Sequence, residues 1–395
     1  MHNEKIKEGI YWVGAIDWDV RNFHGYLTEQ GTTYNAYLVV DEKITLVDTV
    51  KENLFEQMIS RISRYVDPSK IDYLLSNHVE MDHSGSIPRM MELIPNATVI
   101  TSKQGEKGLR RHYGKEWDFK VVKSGDTICT GNRTLSFVNT PMVHWPDSMV
   151  TYLPEEKILF SNDAFGQHLA TPERFDDELG WSVVKRDAAK YYANIVLPFG
   201  KQVNKALSAL SDLDLELICP SHGVIWRSFI PKITAEYQKW ANHEAEKRAL
   251  IVYDSMWHST EKIAQALESG LSELGIRTTL RNLKVNHISD IMSDVLNSKL
   301  ILMGSPTLNN GLLPTMGSFI TYLKGLKPQN KIGFAFGSYG WGGQAVGELE
   351  KTIDELSWEQ PVKGFNIEYV PDRDDLSGAH DTGKLLGEHL LESGE

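Results

Sequence analysis

Short runs of β-branched and aromatic residues recur through the first half of the chain. They are TTYNAYLVV, ITLVDTV, IDYLLSN, ATVITS, TLSFVNT, KILFSND and LELICPS. Helical patterns such as KENLFEQMISRISRYV and NKALSALSDL lie between some of them. Runs of this length are typical of strands, whereas apolar residues three or four positions apart indicate amphipathic helices. The pattern predicts a mixed α/β domain with many strands over residues 1–247.

The pattern changes after the charged stretch PKITAEYQKWANHEAEKR, which we expect to be helical up to the residue before Ala249. From there strand-like and helix-like segments alternate, from ALIVYD and STEKIAQALESGLSELG to FNIEYV and GKLLGEHLLES. Five strands alternating with five helices in roughly 150 residues predict a doubly wound parallel sheet of flavodoxin size. We therefore expect a second domain over residues 248–395.

Composition limits what the chain can bind. The chain has 395 residues, a formal net charge of −12 and two cysteines, Cys129 and Cys219. The acidic balance argues against nucleic acid as the main partner, because neutralising phosphates requires clustered Lys and Arg. Two thiols cannot build a disulfide framework or a thiolate metal cluster, so any metal must be held by nitrogen and oxygen.

The chain also lacks membrane and export signals. No apolar run is long enough to cross a membrane, and the first residues, MHNEKIKEGIYWVG, are too polar for a secretory signal. We therefore expect a cytoplasmic protein without a membrane partner.

The stretch SNHVEMDHSG, residues 76–85, concentrates potential metal ligands directly after the strand-like run IDYLL. The candidates within it are His78, Glu80, Asp82 and His83. Three further candidates, His144, Asp163 and His222, each follow another strand-like run. A single histidine after a strand is more often a capping residue than a ligand. Strand ends of one sheet edge converge, however, and seven donors suit two metals that share a bridging carboxylate.

The H-x-E-x-D-H spacing, followed by His, Asp and His, resembles the metallo-β-lactamase fold, whose hydrolases carry H-x-H-x-D-H after a strand. Here Glu80 stands at the second position. Exchanging an imidazole for an anionic oxygen gives a carboxylate-rich site that is better matched to iron than to zinc. With HWPDS around His144 and SHGVIW around His222, the sequence resembles the flavodiiron proteins, or A-type flavoproteins, over essentially the whole chain.

The resemblance implies a fold and a ligand set. The fold is an N-terminal metallo-β-lactamase-like αββα sandwich followed by a C-terminal flavodoxin-like doubly wound parallel five-stranded sheet. One non-haem iron would be bound by His78, Glu80 and His144. The other would be bound by Asp82, His83 and His222, with Asp163 bridging the two.

Two further polar residues match family positions near this pocket. His24, in RNFHGY, and Tyr191, in KYYANI, match family positions close to the diiron pocket, where they would donate hydrogen bonds or protons. His24 is equally compatible with an ordinary loop residue, and Tyr191 with a core aromatic residue. His168, in FGQHLA, has no assigned role.

Three loops rich in Ser, Thr and Gly follow strands of the second domain, where an open α/β sheet binds its ligand. The hydroxyls of SMWHST and the free N–H groups of a helix that begins near Glu261 can hold a phosphate without a lysine. The chain has no P-loop or dinucleotide motif, which favours a mononucleotide. Tyr339 and Trp341 offer flat apolar faces to a ring, so the loops predict FMN. The expected FMN-binding residues are Ser255, Met256, Trp257, His258, Ser259, Thr260, Ser305, Pro306, Thr307, Leu308, Asn309, Asn310, Gly311, Ser338, Tyr339, Gly340, Trp341, Gly342 and Gly343.

A flavin and two irons together carry four reducing equivalents, which is what reduction of O2 to water requires. The resemblance implies reduction of O2 to water, of NO to N2O, or of both. Electrons would come from an external donor such as rubredoxin or the reduced deazaflavin F420. We also expect a head-to-tail homodimer or a dimer of dimers, with the flavin of one subunit against the irons of the other.

Two alternatives stay open at the level of sequence. The first is a dizinc hydrolase of the metallo-β-lactamase superfold with a fused flavodoxin module. The second is a non-catalytic electron carrier, in which the first domain is a docking scaffold with a vestigial metal site. The metal content of the protein distinguishes all three interpretations.

Overall fold

The computed structural model describes residues 4–394, which form two compact units. The first unit comprises the chain up to Tyr192 together with Lys201–Gln238. The second comprises Ala193–Gly200 and the chain from Lys239 onward. Among the described residues, no helix combines the length and the apolar character that a membrane crossing needs.

Most strands of the first unit belong to two sheets. The strands are β1 (Lys5–Lys7), β2 (Ile10–Trp12), β3 (Ala15–Asp17), β4 (Asn22–Phe23), β5 (Tyr26–Leu27), β6 (Thr32–Tyr34), β7 (Tyr37–Val39), β8 (Thr45–Val47), β9 (Tyr73–Ser76), β10 (Thr98–Ser102), β11 (Phe119–Val122), β12 (Thr127–Cys129), β13 (Thr134–Asn139), β14 (Met149–Leu153), β15 (Ile158–Asn162) and β16 (Leu217–Pro220). The larger sheet has the order β1-β2-β7-β8-β9-β10-β11, and the smaller has the order β12-β13-β14-β15-β16. The pairs β3-β6 and β4-β5 form separate two-stranded ribbons.

Eight α-helices precede the sheet of the second unit. They are α1 (Phe55–Ile62), α2 (Met81–Ser84), α3 (Ile87–Leu93), α4 (Lys103–Tyr113), α5 (Asp176–Leu179), α6 (Trp181–Tyr191), α7 (Gly200–Leu210) and α8 (Ile230–Ala241). The expected helix up to residue 248 is wrong in its last turns, because α8 ends at Ala241 and Glu246 already pairs with Ser298 of the next sheet. Pairing with a neighbouring strand outweighs the helical propensity of Glu, Ala and Lys in this stretch.

Side chains of the larger sheet alternate between two apolar cores. Val47 and Leu75 face the smaller sheet and pack with Phe137 and Phe160 in one core. Their neighbours Leu46 and Leu74 face the other way and pack in a core with residues of α1, α3 and α4. Alternation of this kind follows from the two-residue period of a strand. The larger sheet therefore has the smaller sheet on one face and helices on the other, as expected for the αββα sandwich.

The second unit is the predicted doubly wound sheet. Its strands are β17 (Glu246–Tyr253), β18 (Thr278–Asn282), β19 (Ser298–Pro306), β20 (Ile332–Tyr339) and β21 (Phe365–Glu368), and its helices are α9 (Ser259–Glu273), α10 (Ile288–Asn297), α11 (Pro314–Leu326), α12 (Gln344–Glu355) and α13 (Arg373–Glu392). The strand order is β18-β17-β19-β20-β21, and all four pairings are parallel. This confirms the flavodoxin-like topology, whose ligand crevice lies where the strand order reverses, beside β17 and β19.

Candidate metal centre and flavin crevice

The seven predicted metal ligands lie at strand ends of the first unit. His78 follows β9 by two residues, and the chain then turns into α2, which carries Asp82 and His83. Asp163 directly follows β15, and His222 follows β16 by two residues. The two remaining ligands are Glu80, at the N-cap of α2, and His144, between β13 and β14. The ends of these strands therefore place all seven side chains in one region of the first unit.

The ligand atoms form two groups, each with its atoms within 4.8 Å of one another. The first group is His78, Glu80, His144 and Asp163, and the second is Asp82, His83 and His222. Every predicted ligand therefore belongs to one group or the other, in the same partition that the family resemblance implied.

Asp163 faces both groups at once. Its Oδ2 lies 3.0 Å from His144 Nε2 and 3.5 Å from His78 Nε2. Its Oδ1 lies 3.0 Å from His83 Nε2 and 3.5 Å from His222 Nε2. One oxygen toward each group is the arrangement that a bridging carboxylate needs.

Unpaired polar atoms in the cluster test whether a cation fits there. Within the described part of the chain, both Asp82 oxygens, both His83 ring nitrogens and Asp163 Oδ1 are buried without a hydrogen-bond partner. His222 Nε2 approaches Asp82 Oδ2 to 3.2 Å, and His83 Nε2 approaches it to 3.3 Å, yet neither contact is aligned as a hydrogen bond. Buried polar atoms without partners are costly, and converging lone pairs on nitrogen and carboxylate oxygen suit iron. The residues present fit two iron ions.

Charges within the cluster compensate one another. Burial acts to lower the pKa of His83, but Asp82 and Asp163 raise it to about 9. Burial acts to raise the pKa of Asp163, but His83 and His144 hold it well below its usual range. Without a metal Asp163 therefore stays ionised and His83 keeps a proton. Metal binding to the cluster would release that proton.

Two groups that the sequence analysis did not single out orient the histidine ligands. The Asp147 carboxylate accepts from His78 Nδ1 at 3.0 Å and from the Val79 N–H at 2.8 Å. The Thr33 carbonyl accepts from His222 Nδ1 at 2.7 Å. Both contacts fix the orientation of the ring and leave Nε2 of the histidine free to face the cluster, as hydrogen bonds to the outer nitrogen of a metal-binding histidine usually do. Asp147 stands three residues after His144 in the HWPDS motif, so the sequence offered a reason to consider it. The Thr33 contact uses a main-chain carbonyl, which every residue has, so no residue type indicates it.

His24, Tyr191 and His168 all lie beside the cluster. His24 is exposed, and its Nε2 lies 3.2 Å from Glu80 Oε1. Tyr191 is buried with its ring 5.9 Å from that of His222, and burial followed by the charges of Asp163 and Asp82 raises its pKa well above the usual range. The His168 ring lies 4.6 Å from that of His222, and its Nδ1 is 2.8 Å from Thr32 Oγ1.

A cavity of about 470 Å³ opens beside the cluster. Its lining includes Phe23, His24, Lys51, Glu80, Asp82 and Tyr113. Glu80 and Asp82 belong to different metal groups, so the cavity reaches both. Small molecules and water therefore have access to the two groups from one side.

The three predicted FMN loops meet at the carboxyl edge of the second sheet. Thr260 Oγ1 lies 2.9 Å from Ser338 Oγ, which joins the first loop to the third. The Thr307 N–H donates to the Ser338 carbonyl at 2.9 Å, which joins the second loop to the third. The helix after the first loop begins at Ser259, slightly earlier than expected. The loops therefore form one crevice at the reversal of the strand order.

The crevice has the features that a flavin nucleotide requires. Ser255 Oγ is buried without a partner among the described residues and lies just before the N-terminus of α9, a position suited to a phosphate. Trp257 and Trp341 are 87% and 92% exposed, so their apolar faces are available to a ring. The residues present therefore fit FMN. The sequence analysis missed Lys284, which follows β18 and whose Nζ lies 3.6 Å from Asp254 Oδ1 beside the first loop.

Comparisons with known proteins cover both units. The ODP family beta lactamase model matches residues 32–223, and the flavodoxin model matches residues 251–383. The nitric oxide reductase of Moorella thermoacetica is 43% identical over 393 residues, which cover 98% of each chain. The structure of rubredoxin oxygen:oxidoreductase from Desulfovibrio gigas is 41% identical with a TM-score of 0.95, covering 98% of this chain and 99% of that chain. The flavodiiron protein from Giardia intestinalis is 36% identical with a TM-score of 0.96, covering 98% and 96%.

These matches extend over nearly the whole chain and include both the metal cluster and the flavin crevice. The flavodoxin match indicates FMN, and the metal groups fit the non-haem iron pair of the flavodiiron relatives. The chain therefore belongs to the flavodiiron protein family.

Proposed function

We propose that this protein reduces O2 to water, NO to N2O, or both, with electrons from an external donor. The observation that carries the proposal is a seven-ligand cluster with one carboxylate facing both metal groups, in a chain that also forms a flavin crevice. Reduction of O2 consumes four electrons and four protons and yields two waters. Coupling of two NO molecules consumes two electrons and two protons and yields N2O and water. FMN supplies two electrons and the two irons one each, which matches the larger requirement.

In this proposal each metal group holds one iron. His78, Glu80 and His144 bind the first, Asp82, His83 and His222 bind the second, and Asp163 bridges them. The metal-binding domain spans residues 1–247 and the FMN-binding domain spans residues 248–395. FMN binds on the loops Ser255–Thr260, Ser305–Gly311 and Ser338–Gly343.

His24 and Tyr191 handle protons in different ways. His24 is 76% exposed at the rim of the cavity, with Nε2 beside Glu80 Oε1, so it can take a proton from solvent and pass it toward the cluster. Tyr191 is buried and keeps its proton because its pKa is raised, so it acts as a hydrogen-bond donor and not as a base.

The electron donor is a rubredoxin in this proposal, and reduced F420 is the second donor that the family resemblance implies. The protein works in the cytoplasm as a head-to-tail homodimer or a dimer of dimers, in which the flavin of one subunit faces the irons of another. The exposure of Trp257 and Trp341 supports assembly, because apolar rims of this kind are typical of interaction sites.

The first experiment is the cofactor content of anaerobically purified protein, with iron and zinc from elemental analysis and flavin released by denaturation. We expect about two irons and one FMN per chain. Consumption of O2 and of NO with one reduced donor then establishes which gas is preferred. Zinc without iron would favour the hydrolase, and FMN without metal would favour the electron carrier.

Glu80→His is expected to lower iron occupancy and to raise zinc occupancy, while FMN stays bound. The change replaces an anionic oxygen by an imidazole in the first metal group, and nitrogen donors favour zinc over iron relative to carboxylate. Elemental analysis after expression with both metals measures the ratio. Glu52→His is the matched control, because Glu52 lines the same cavity but belongs to neither group. Unchanged iron content and turnover in Glu80→His would count against Glu80 as a ligand.

Asp147→Asn is expected to weaken iron binding by about 10- to 100-fold without removing a ligand. The carboxylate that holds His78 Nδ1 would become an amide, so the tautomer and orientation of His78 would no longer be set. Loss of iron to a chelator over time measures the effect. Asp67→Asn, at an exposed helix cap away from the cluster, serves as the control. Equal iron retention in both variants would show that Asp147 does not orient His78.

A further inference from the structure

The segment from Lys103 to Lys123 is rich in positive charge on an acidic protein. It contains seven basic residues (Lys or Arg) and three acidic residues (Asp or Glu). The whole chain has 41 basic and 53 acidic residues. Arg110 is paired with Glu106 and Glu116. The other six cations are exposed, and the structure shows no ion pair for them within residues 4–394. These six, which define the α4 basic surface, are Lys103, Lys107, Arg111, Lys115, Lys120 and Lys123.

Three of the cations form a stripe along α4. Lys103, Lys107 and Arg111 are four residues apart, so they share one face of the helix over about 12 Å. Like charges at this spacing destabilise a helix, and Lys103 stands at the N-terminus, where the helix dipole disfavours a cation. Lys120 has another explanation, since lysine on the edge strand β11 prevents pairing with other sheets. The stripe on α4 gives the fold no comparable benefit.

Apolar side chains interrupt the α4 basic surface and connect it to the cavity. Val121 is 43% exposed and Trp117 is half-buried. The Trp117 ring lies 5.9 Å from that of Tyr113, whose side chain lines the cavity beside the metal cluster. Aromatic and arginine residues with apolar neighbours are the usual anchors of protein interfaces. The surface therefore has the composition of a docking site, and its Trp117 end lies beside the cavity.

We propose that the α4 basic surface is the docking site of a small acidic electron-donor protein. The inference rests on the proposed function and deepens it by naming where the donor binds and which charge it carries. A chain with a net charge of −12 repels an acidic protein at long range, and a local excess of cations offsets that repulsion and orients the encounter. In the proposed head-to-tail dimer, the flavin of the second subunit faces the metal groups, and the Trp117 end of the surface adjoins the cavity beside those groups.

The electron balance sets how often the surface must be used. Each docking event oxidises the donor by one electron and reduces the flavin by one. Four events are therefore needed for each O2 and two for each pair of NO molecules. Fast and reversible docking is required, and a charged surface with few apolar anchors provides it.

The test uses the holoprotein and a reduced rubredoxin of net negative charge. Flavin reduction is followed by stopped flow at several donor concentrations and salt concentrations. We expect Lys103→Glu combined with Lys107→Glu to lower the second-order rate constant by about tenfold or more at low salt. The wild-type rate should fall steeply with salt, and the variant rate should depend on salt much less. The matching pair of Gln substitutions should give an intermediate loss.

A second helix supplies the matched control. Lys201 and Lys205 on α7 are also four residues apart, exposed and without an ion pair in the described chain, and α7 and α4 both have 11 residues. Lys201→Glu combined with Lys205→Glu changes the net charge equally and should alter the rate by no more than about twofold. Glu is favoured near a helix N-terminus, so both double variants should fold, which thermal unfolding checks.

The outcomes separate this inference from the proposed function. If dithionite supports turnover with O2 or NO in all variants and the α4 variant alone loses its rate with rubredoxin, the docking site is supported. Equal losses in the α4 and α7 variants, or no loss in either, would overturn it while leaving the dithionite activity intact. Tight binding of DNA to the α4 surface would also overturn it. Absence of turnover with dithionite in the wild type would contradict the proposed function itself.

Discussion

Asp163→Asn is expected to remove both irons and to lower turnover with O2 or NO by at least ~10³-fold. Asp163 is the one ligand candidate whose two oxygens face different metal groups, at 3.0 Å from His144 Nε2 and 3.0 Å from His83 Nε2. Asparagine has nearly the same shape, but it has no negative charge and presents an N–H2 donor to one of the groups. An N–H2 group in the place of a ligand oxygen repels a cation. The site also loses the negative charge of the carboxylate, which would otherwise balance the charge of the metal.

Elemental analysis of iron, beside FMN released on denaturation, measures this effect directly. His222→Asn is the comparison variant, because His222 belongs to the second group alone and its loss should remove about one iron. FMN content should be unchanged in both variants, since the flavin crevice lies in the other unit. If Asp163→Asn protein retained one iron per chain, Asp163 would be an ordinary ligand of one metal and not a bridge.

Ser255→Asp is expected to weaken FMN binding by at least ~10³-fold, whereas Ser255→Ala should weaken it by only about tenfold. Ser255 Oγ is buried just before α9, where we place the FMN phosphate, and it has no hydrogen-bond partner among residues 4–394. Alanine removes one hydrogen bond to the phosphate. Aspartate adds a buried negative charge against a dianion at a place where solvent screens little.

Fluorescence titration of the flavin-free protein with FMN measures both affinities, and iron content reports whether the first unit is intact. We expect both variants to keep iron at the wild-type level. Equal FMN affinity in Ser255→Asp and in the wild type would mean that the phosphate lies elsewhere on the sheet edge. Loss of iron together with FMN would contradict the assignment of the two cofactors to separate domains.

How much of the site could be predicted depends on how local each feature is. His78, Glu80, Asp82 and His83 lie within six consecutive positions that run from the end of β9 into α2, so their spacing in the sequence already resembles their spacing in the fold. His222 is far from these four residues in the sequence, and it could be proposed as a ligand because it follows a strand-like run and stands in the motif SHGVIW. The hydrogen-bond partners that orient the histidine ligands were not predicted, because Asp147 is 69 positions from His78 and Thr33 is 189 positions from His222.

The second unit was predictable for a related reason. Its three central strands, β17, β19 and β20, are largely buried and its helices are amphipathic, so apolar strand segments and helical patterns alternate visibly along the chain. The position of Lys284 beside the first loop was not visible in the sequence, because the loop follows β17 whereas Lys284 follows β18. Residues that follow two parallel strands lie close together only if the strands are neighbours in the sheet. The order of strands in the sheet cannot be read from the hydrophobic periodicity of the sequence.

The two fold classes, the seven candidate ligands and the three candidate flavin loops could all be read from the amino-acid sequence, because periodicity and motif spacing are properties of neighbouring residues. Packing of the sheets and helices, in contrast, places Asp163 between both groups, brings Asp147 and Thr33 to two of the histidines, and forms the cavity that reaches both groups. It also decided that six cations near α4 are exposed and unpaired within the described residues. These features depend on distances between side chains far apart in the sequence, which are set when the sheets and helices pack.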